Sequence, residues 1–325
     1  AARCDAAVIA PATANCVAKL AHGLADDALT TTFLAVTAPI LICPAMNTHM
    51  YENIRVQRNL DLLEKDGVHI LDPDTGALAC KTVGPGRLPD PWLIADRIEQ
   101  MLTPKDFAGR HVLVSAGPTL EPIDPVRFVS NHSSGKMGYA VARAAEMRGA
   151  SVTLVTGPVD LAPPVGVDTV FVQTCRDMAD AMLTRMDGAD IIIQVAAVAD
   201  FRPDRPEHLK IKKQSDRDGM SLTLVQNPDI LRAMGERKRP DQFLVGFAAE
   251  THDLAANAVK KIEKKNLDMI AANLVGGKHT GFQSDTNEMT VFFKDGSKTD
   301  IPLMDKTSVA HMLLDAVLGR LEPGR

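Results

Sequence analysis

Apolar runs of strand length alternate with helical periods along most of the chain. DAAVIAPA (5–12), APILICPAM (38–46) and the shorter VHIL (68–71) read as strands, and helical spacing falls at 14–22, 53–66 and 92–102. Continuous apolar strands alternating with helices predict a parallel sheet covered on both faces. Pro104 and Gly109 break the pattern, so 103–109 reads as a linker between a first domain at 1–102 and a second at 110–325. A second series opens with HVLVSAG (111–117) and continues through 152–157, 169–174, 190–200, 243–250 and 267–273. Helical patterns sit at 136–148, 176–187, 228–236 and 253–265. The expectation is α/β, with two doubly wound three-layer domains. EMTVFFKDG (288–296) alternates and ends in Asp-Gly, which predicts an antiparallel hairpin before a closing helix at 306–319. Residues 202–219 are charged and turn-rich, and read as one long functional loop.

Composition narrows the function. The 325 residues carry 36 basic and 41 acidic side chains, a net charge of -5, so there is no general basic field for nucleic acid. Aromatics make up 4%, too few for base-stacking platforms. No apolar run reaches membrane-spanning length. Five cysteines form no CxxC pair, which fits a reducing, cytoplasmic setting. The chain opens on Ala1, almost directly into a buried strand, and the expectation is that it begins inside a domain.

Chemistry concentrates in the second half. In SAGPTLEPIDPVRFVSNHSSGKMGYAVARAAEMRGA (115–150), a strand leads through a polar connection to a helix starting near Gly135. Ser133 and Ser134 are N-cap types, and with Asn131, His132 and Lys136 they make the helix start an anion site. The phosphate-loop pattern GxxxxGK[ST] fails, because Ser130 stands where its first glycine belongs and Met137 follows Lys136. The dinucleotide pattern GxGxxG is absent too, which counts against a nicotinamide oxidoreductase. AAVADF (196–201) runs an apolar strand into Asp200, either a helix cap or a ligand contact at a strand's carboxyl end. Lys210, Lys212 and Lys213 in LKIKKQ are either a solvated run or a flap that closes on phosphates. Asn227 and Pro228 in VQNPDIL open a helix. VGFAAE (245–250) is another strand ending in small residues, and Lys261 and Lys265 share a helix face. Together these features suggest a nucleoside triphosphate pocket and leave the base open.

SNHSSGKMG, AAVADF, LKIKK, NPDI and VGFAAET, in this order and spacing, closely resemble the phosphopantothenate–cysteine ligases. APATAN (10–15), PAMNTHMY (44–51) and ALACKTVGPGR (77–87) resemble the flavodoxin-like decarboxylase half of the same bifunctional coenzyme A proteins. The resemblance spans nearly the whole chain. It implies a flavodoxin-like decarboxylase part followed by a Rossmann-like ligase domain. The ligase would use CTP with Mg²⁺, through an acyl-cytidylate, to join phosphopantothenate to cysteine. By resemblance, Asn131 contacts the acyl group, Arg127 assists the second step and Lys210 stabilises charge during activation. Ser133, Ser134 and Lys136 would bind substrate. Ala196, Asp200, Asn227, Pro228, Asp229, Ile230, Phe247, Lys261 and Lys265 would bind CTP together with Lys210.

In the decarboxylase half, which would use FMN on phosphopantothenoylcysteine, Cys80 matches the proton-donating cysteine and Asn47 the residue gripping the substrate carboxylate. The family's flavin phosphate loop and catalytic histidine precede the point where this chain starts. The expectation is therefore weak FMN binding and no decarboxylation by the chain as given. Tyr51 stands where some relatives carry Trp. The resemblance also implies homo-oligomers, with ligase domains as dimers and decarboxylase domains as trimers that build larger shells. A non-catalytic flavoprotein scaffold is the competing reading, and ATP the competing donor.

Overall fold

A computed structural model describes residues 3–77, 83–212, 219–250, 254–274 and 284–321. The chain divides into two compact units, Ala1–Pro104 and Lys105–Arg325.

The first unit runs β1 (Ala7–Ala12), α1 (Ala14–Ala21), α2 (Ala28–Leu34), β2 (Ile40–Pro44), α3 (Thr48–Tyr51), α4 (Ile54–Lys65), β3 (His69–Ile70), β4 (Asp74–Ala77), β5 (Val83–Arg87) and α5 (Pro91–Leu102). Parallel pairing in the order β1-β2-β3 follows from the apolar runs, which bury Ile9, Leu41 and Ile42. Side-chain caps start the helices: Thr13 for α1, Asp27 for α2 and Asn53 for α4. The antiparallel β4–β5 pair is not marked by an apolar run in the sequence, since its strands read DTGA and VGPGR.

The second unit continues with β6 (His111–Ala116), β7 (Leu120–Pro122), β8 (Phe128–Ser130), α6 (Lys136–Met147), β9 (Ser151–Thr156), β10 (Asp168–Phe171), α7 (Cys175–Arg185), β11 (Ile191–Gln194), β12 (Phe201–Pro203) and β13 (Leu224–Gln226). It ends with α8 (Ile230–Arg237), β14 (Phe243–Glu250), α9 (Leu254–Lys265), β15 (Met269–Leu274), β16 (Thr286–Phe293), β17 (Lys298–Asp305) and α10 (Lys306–Leu321). Eight strands form one sheet, in the order β10-β9-β6-β11-β14-β15-β16-β17. Pairing is parallel from β10 to β15 and antiparallel through the last two strands, as the Asp-Gly turn predicts.

Strand alternation sorts the core into two layers. On one face Val112, Val114, Ile191 and Ile193 meet Val141 and Ala145 of α6 and Val309 and Leu313 of α10. On the other, Leu113, Ile192, Leu244 and Ile270 meet Met178 of α7, Met234 of α8 and Ile262 of α9. Each fully buried aliphatic side chain contributes about 1.5–3 kcal/mol, so this double-sided sheet is the unit's main source of stability. Within the expected linker, Phe107 is fully buried in the first layer, and the Arg148 guanidinium lies 4.8 Å over its ring.

Three details differ from the sequence expectation. The apolar stretch 190–200 is a strand only to Gln194, because the Val195 and Ala196 N–H groups bond to the Ser115 side chain instead of a neighbouring strand's backbone. The connection at 117–135 folds part of itself into the β7–β8 hairpin. The arm beginning at 201 contains β12, which pairs antiparallel with β13, so it is more than a loop.

Candidate active site

The order of the sheet reverses between β6 and β11. The chain moves outward on one side through β9 and β10, and on the other through β14 and β15. Connections leave in opposite directions there, which opens a crevice at the carboxyl ends of β6 and β11.

Side chains on the β6 side hold the far wall of that crevice. Ser115 Oγ accepts the N–H groups of Val195 and Ala196, both at 3.1 Å. The Gly117 carbonyl accepts from Ala197 at 2.9 Å, and Thr119 Oγ1 accepts from Ala199 at 3.0 Å. Asn131 Nδ2 donates to the carbonyls of Ala197 and Val198, each at 3.1 Å. From the opposite side, buried Asn227 donates through Nδ2 to the Ala199 carbonyl at 2.8 Å and accepts from Arg202 Nη1 at 3.2 Å. These bonds explain why an apolar sequence leaves the sheet at Val195: its backbone is satisfied by side chains at the crevice instead. They also give Asn131 and Asn227 a bracing role that their residue type alone does not reveal.

The helix on the β6 side starts without a side-chain cap. Gly135, not Ser133 or Ser134, is the N-cap of α6, with φ 74°. A Cβ at Gly135 would lie 2.7 Å from Val159 Cγ1, so both conformation and space require glycine. Ser133 Oγ instead accepts the Gly135 N–H at 3.3 Å. The uncapped first turn leaves N–H donors and the positive end of the helix dipole beside the crevice.

The crevice encloses a cavity of about 620 Å³. Asn131, Ser133, Ser134 and Lys136 line it from the α6 side. Ala196 and Asp200 line it from the loop after β11, and Asn227, Pro228, Asp229 and Ile230 from the start of α8. Phe247 and the α9 lysines Lys261 and Lys265 complete the opposite side. Lys265 Nζ holds Asp229 at 2.9 Å, which ties α9 to the α8 N-terminus. Lys136 Nζ pairs with the exposed Asp285 at 2.5 Å, a surface contact of little worth in water.

Four further lining residues carry no motif in the sequence: Gln194, Asn273, Asn287 and Lys306. The buried Oε1 of Gln194 has no hydrogen-bond partner among the described residues. Lys306, 8% exposed at the start of α10, is pushed below the ordinary lysine range by burial and by the neighbouring Lys136 charge. A lysine placed just after an apparently unremarkable surface strand gives no such signal on its own.

Arg127 and Lys210 do not line the cavity. Arg127 lies on the β7–β8 turn and forms an ion pair with Asp124 there. Lys210 is exposed on the 204–212 arm, and its neighbour Ile211 accepts a hydrogen bond from Arg127 Nη2 at 2.9 Å. In the first unit, Asn47 caps α3 by accepting the His49 N–H at 2.9 Å. Cys80 falls outside the described residues. The PAMN and GPGR segments approach closely there: a Cβ on Gly84 would sit 2.7 Å from Thr48, whose buried hydroxyl has no partner among the described residues.

Comparison with known proteins gives this geometry its family. Residues 107–321 match the DNA/pantothenate metabolism flavoprotein C-terminal domain, and residues 1–103 match the flavoprotein family. The chain belongs to the coenzyme A biosynthesis bifunctional family. It is 49% identical to the coenzyme A biosynthesis bifunctional protein CoaBC of Bacillus subtilis (strain 168), over 96% of this chain and 77% of that protein. The Escherichia coli (strain K12) protein of the same name is 43% identical over 98% of this chain and 79% of its own length. A crystal structure of the C-terminal domain of a CoaBC protein superposes with a TM-score of 0.58 at 40% identity, covering 68% of this chain and all of that one. The bifunctional family thus accounts for both halves: a flavoprotein decarboxylase unit joined to a ligase unit, in one enzyme of coenzyme A biosynthesis. Among the described residues no helix is long and apolar enough to cross a membrane.

Proposed function

We propose that the second unit joins phosphopantothenate to cysteine in two steps, with CTP as the activating nucleotide. One observation carries this reading: a single cavity at the switch point receives lysines from both faces of the sheet. Lys136 and Lys306 come from the α6–α10 side, and Lys261 and Lys265 from the α9 side. Two anionic ligands on either side of a neutral floor fit that arrangement, a phosphorylated acid and a nucleoside triphosphate. The CTP side comprises Ala196, Asp200, the Asn227–Ile230 turn, Phe247, Lys261 and Lys265, with Lys210 supplied by the arm. Ser133, Ser134, Lys136 and Asn131 hold the acid.

In the first step a carboxylate oxygen forms a bond to the α-phosphorus, the α–β phosphoanhydride bond breaks, and pyrophosphate leaves. Lysines around the phosphates offset the charge that develops, and Asn131 keeps the carboxylate in line. In the second step the cysteine amine forms the C–N bond, the acyl C–O bond breaks, and CMP departs as the amine loses its proton. Arg127 stabilises the oxygen charge of that step. Among the described residues no group of three His, Cys, Asp or Glu side chains could hold a metal ion. Mg²⁺ therefore enters this reading with the triphosphate, whose oxygens are its usual ligands.

In the first unit, Asn47 holds the carboxylate of phosphopantothenoylcysteine and Cys80 returns a proton to the product. FMN, when bound, supplies a two-electron oxidant for the substrate thiol. The enzyme is cytoplasmic in this reading, and its ligase units pair as dimers. Exposed apolar side chains on the β7–β8 and β12–β13 hairpins, Val126, Phe128, Phe201 and Leu224, support pairing.

The test is product formation from phosphopantothenate, cysteine, CTP and Mg²⁺, with ATP as the parallel donor and products followed by mass. CMP, pyrophosphate and phosphopantothenoylcysteine are the expected products. Absence of CMP with either nucleotide would overturn the ligase reading, and AMP formation with ATP alone would overturn the choice of base.

A further inference from the structure

We infer that Asp124, a residue outside the cavity, is the positioning residue that sets both Arg127 and the Lys210 arm for the two steps of ligation. This rests on the reading above, in which Lys210 serves the first step and Arg127 the second. Asp124 sits in the turn between β7 and β8 and is 3% exposed, although it carries a charge. Its two carboxylate oxygens serve different structures. Oδ1 accepts the N–H groups of Val126 and Arg127 at 2.8 and 2.9 Å, which forms the turn itself. Oδ2 accepts from Arg127 Nε at 3.0 Å, from Arg127 Nη2, and from the Ile211 N–H at 3.1 Å. The same Nη2 donates to the Ile211 carbonyl at 2.9 Å.

Both backbone polar groups of Ile211 are thus held by one ion pair, and Ile211 follows Lys210 directly. A second tie lies four residues earlier, where the Glu207 N–H donates to the Ile123 carbonyl at 2.9 Å. The arm carries Leu209 and Lys210 with both side chains exposed to solvent. The position of Lys210 is therefore set by the backbone beside it. Charge-assisted bonds to a buried carboxylate are the strongest hydrogen bonds available for that purpose. The Arg127 bonds hold the Asp124 carboxyl well below the usual carboxylate range, so the clamp is charged throughout the neutral range.

The two oxygens make the inference separable from a folding role. In Asp124→Asn, the remaining carbonyl oxygen can keep both turn N–H groups. The new NH₂ then faces only donors, Arg127 and the Ile211 N–H, so the clamp is lost while the turn stays. The experiment measures three quantities on the whole chain: pyrophosphate release with phosphopantothenate and CTP, amide formation on adding cysteine, and equilibrium CTP binding. Trypsin cleavage after Lys210 and Lys212 is followed in parallel.

The expected result is at least a tenfold fall in both chemical rates, faster cleavage of the arm and an unchanged melting transition, with CTP affinity lowered by less than the rates because Lys210 is one of several contacts. Wild-type rates with unchanged cleavage would overturn the inference. So would a loss of CTP binding and of the melting transition in step with activity, which is the pattern of a purely structural residue. Ile211→Pro provides a second route should Asp124→Asn not fold, since it removes the arm's N–H while leaving the Asp124 and Arg127 side chains unaltered. Its expected signature is slowed pyrophosphate release with the Asp124–Arg127 pair intact, and normal release would again refute the clamp. Wild-type enzyme that releases no pyrophosphate would instead sink the ligase reading on which this inference rests.

Discussion

Gly138 offers the sharpest separation of stability from catalysis. It lies in the first turn of α6, and a Cβ there would come within 2.5 Å of Ala116 Cβ and 3.0 Å of the Ser115 carbonyl oxygen. Carbon atoms pack at about 3.5–4 Å, so Gly138→Ala must move the helix start away from β6 by roughly 1 Å. Overpacking of this kind costs about 1–3 kcal/mol. Alanine returns about 1 kcal/mol through its better helix propensity. The net loss is therefore about 0–2 kcal/mol, a fall of roughly 0–8 °C in melting temperature for a unit of this size.

The same displacement carries Ser134, Gly135 and Lys136 off their places at the cavity. A misplacement of about 1 Å can cost roughly 100-fold in rate. Calorimetry of the melt together with pyrophosphate release under saturating CTP reads both quantities. A folded variant with near wild-type turnover would refute the argument that close contact of α6 with β6 positions the anion-binding turn. A variant that melts far below this range would show the packing term to be misjudged.

Three other outcomes follow from the geometry. In Gly235→Ala the new Cβ would meet the Lys265 carbonyl oxygen at 1.8 Å, so the end of α9 must shift; weaker CTP binding is expected in titration calorimetry, with the acid affinity unchanged. Ser115→Ala strips the acceptor from the Val195 and Ala196 N–H groups, and at about 1–3 kcal/mol for each stranded donor the urea midpoint should show roughly 2–6 kcal/mol of lost stability. The Cys175 thiol is pushed up to about 12 by burial and then by the Glu121 carboxylate, so its thiolate is scarce until the pH approaches that value. Peptide mapping after iodoacetamide treatment at pH 8 should find exposed Cys4 alkylated and Cys175 untouched; prompt alkylation of Cys175 in folded protein would contradict its burial.

What the sequence revealed depended on how many residues carried each signal. Strands β6, β11 and β14 announce themselves because HVLVSA, IIIQ and FLVGFAAE are apolar on both faces of a covered sheet. The hairpins β7–β8 and β12–β13 have three-residue strands, too short for any period to register. The end of β11 was hidden for a different reason: Val195 to Val198 stay apolar, and only the distant Ser115 and Asn131 show where their backbone turns.

At the site, contiguous motifs supply much of the cavity lining, because Ser133 to Lys136 and Asn227 to Ile230 act as local groups. Lys306, Asn273 and Asn287 reach the cavity only through the antiparallel extension β15–β16–β17, a tertiary arrangement that leaves single polar residues with no neighbours in sequence. Arg127 and Lys210 were named in advance through resemblance, whereas their common anchor, Asp124, is an ordinary turn aspartate until the fold brings Ile211 to it.

The placement of Lys306 has a consequence for how the enzyme is made. Its cavity draws one wall from α6, near the beginning of the second unit, and another residue from the start of α10, the last helix. During synthesis the side of the crevice built from α8, β14 and α9 can form before the opposite side, which waits for α10 to leave the ribosome and dock on α6. A nascent chain halted before that helix would present a crevice that lacks Lys306, so the docking of α10 on α6 is the step that completes the site.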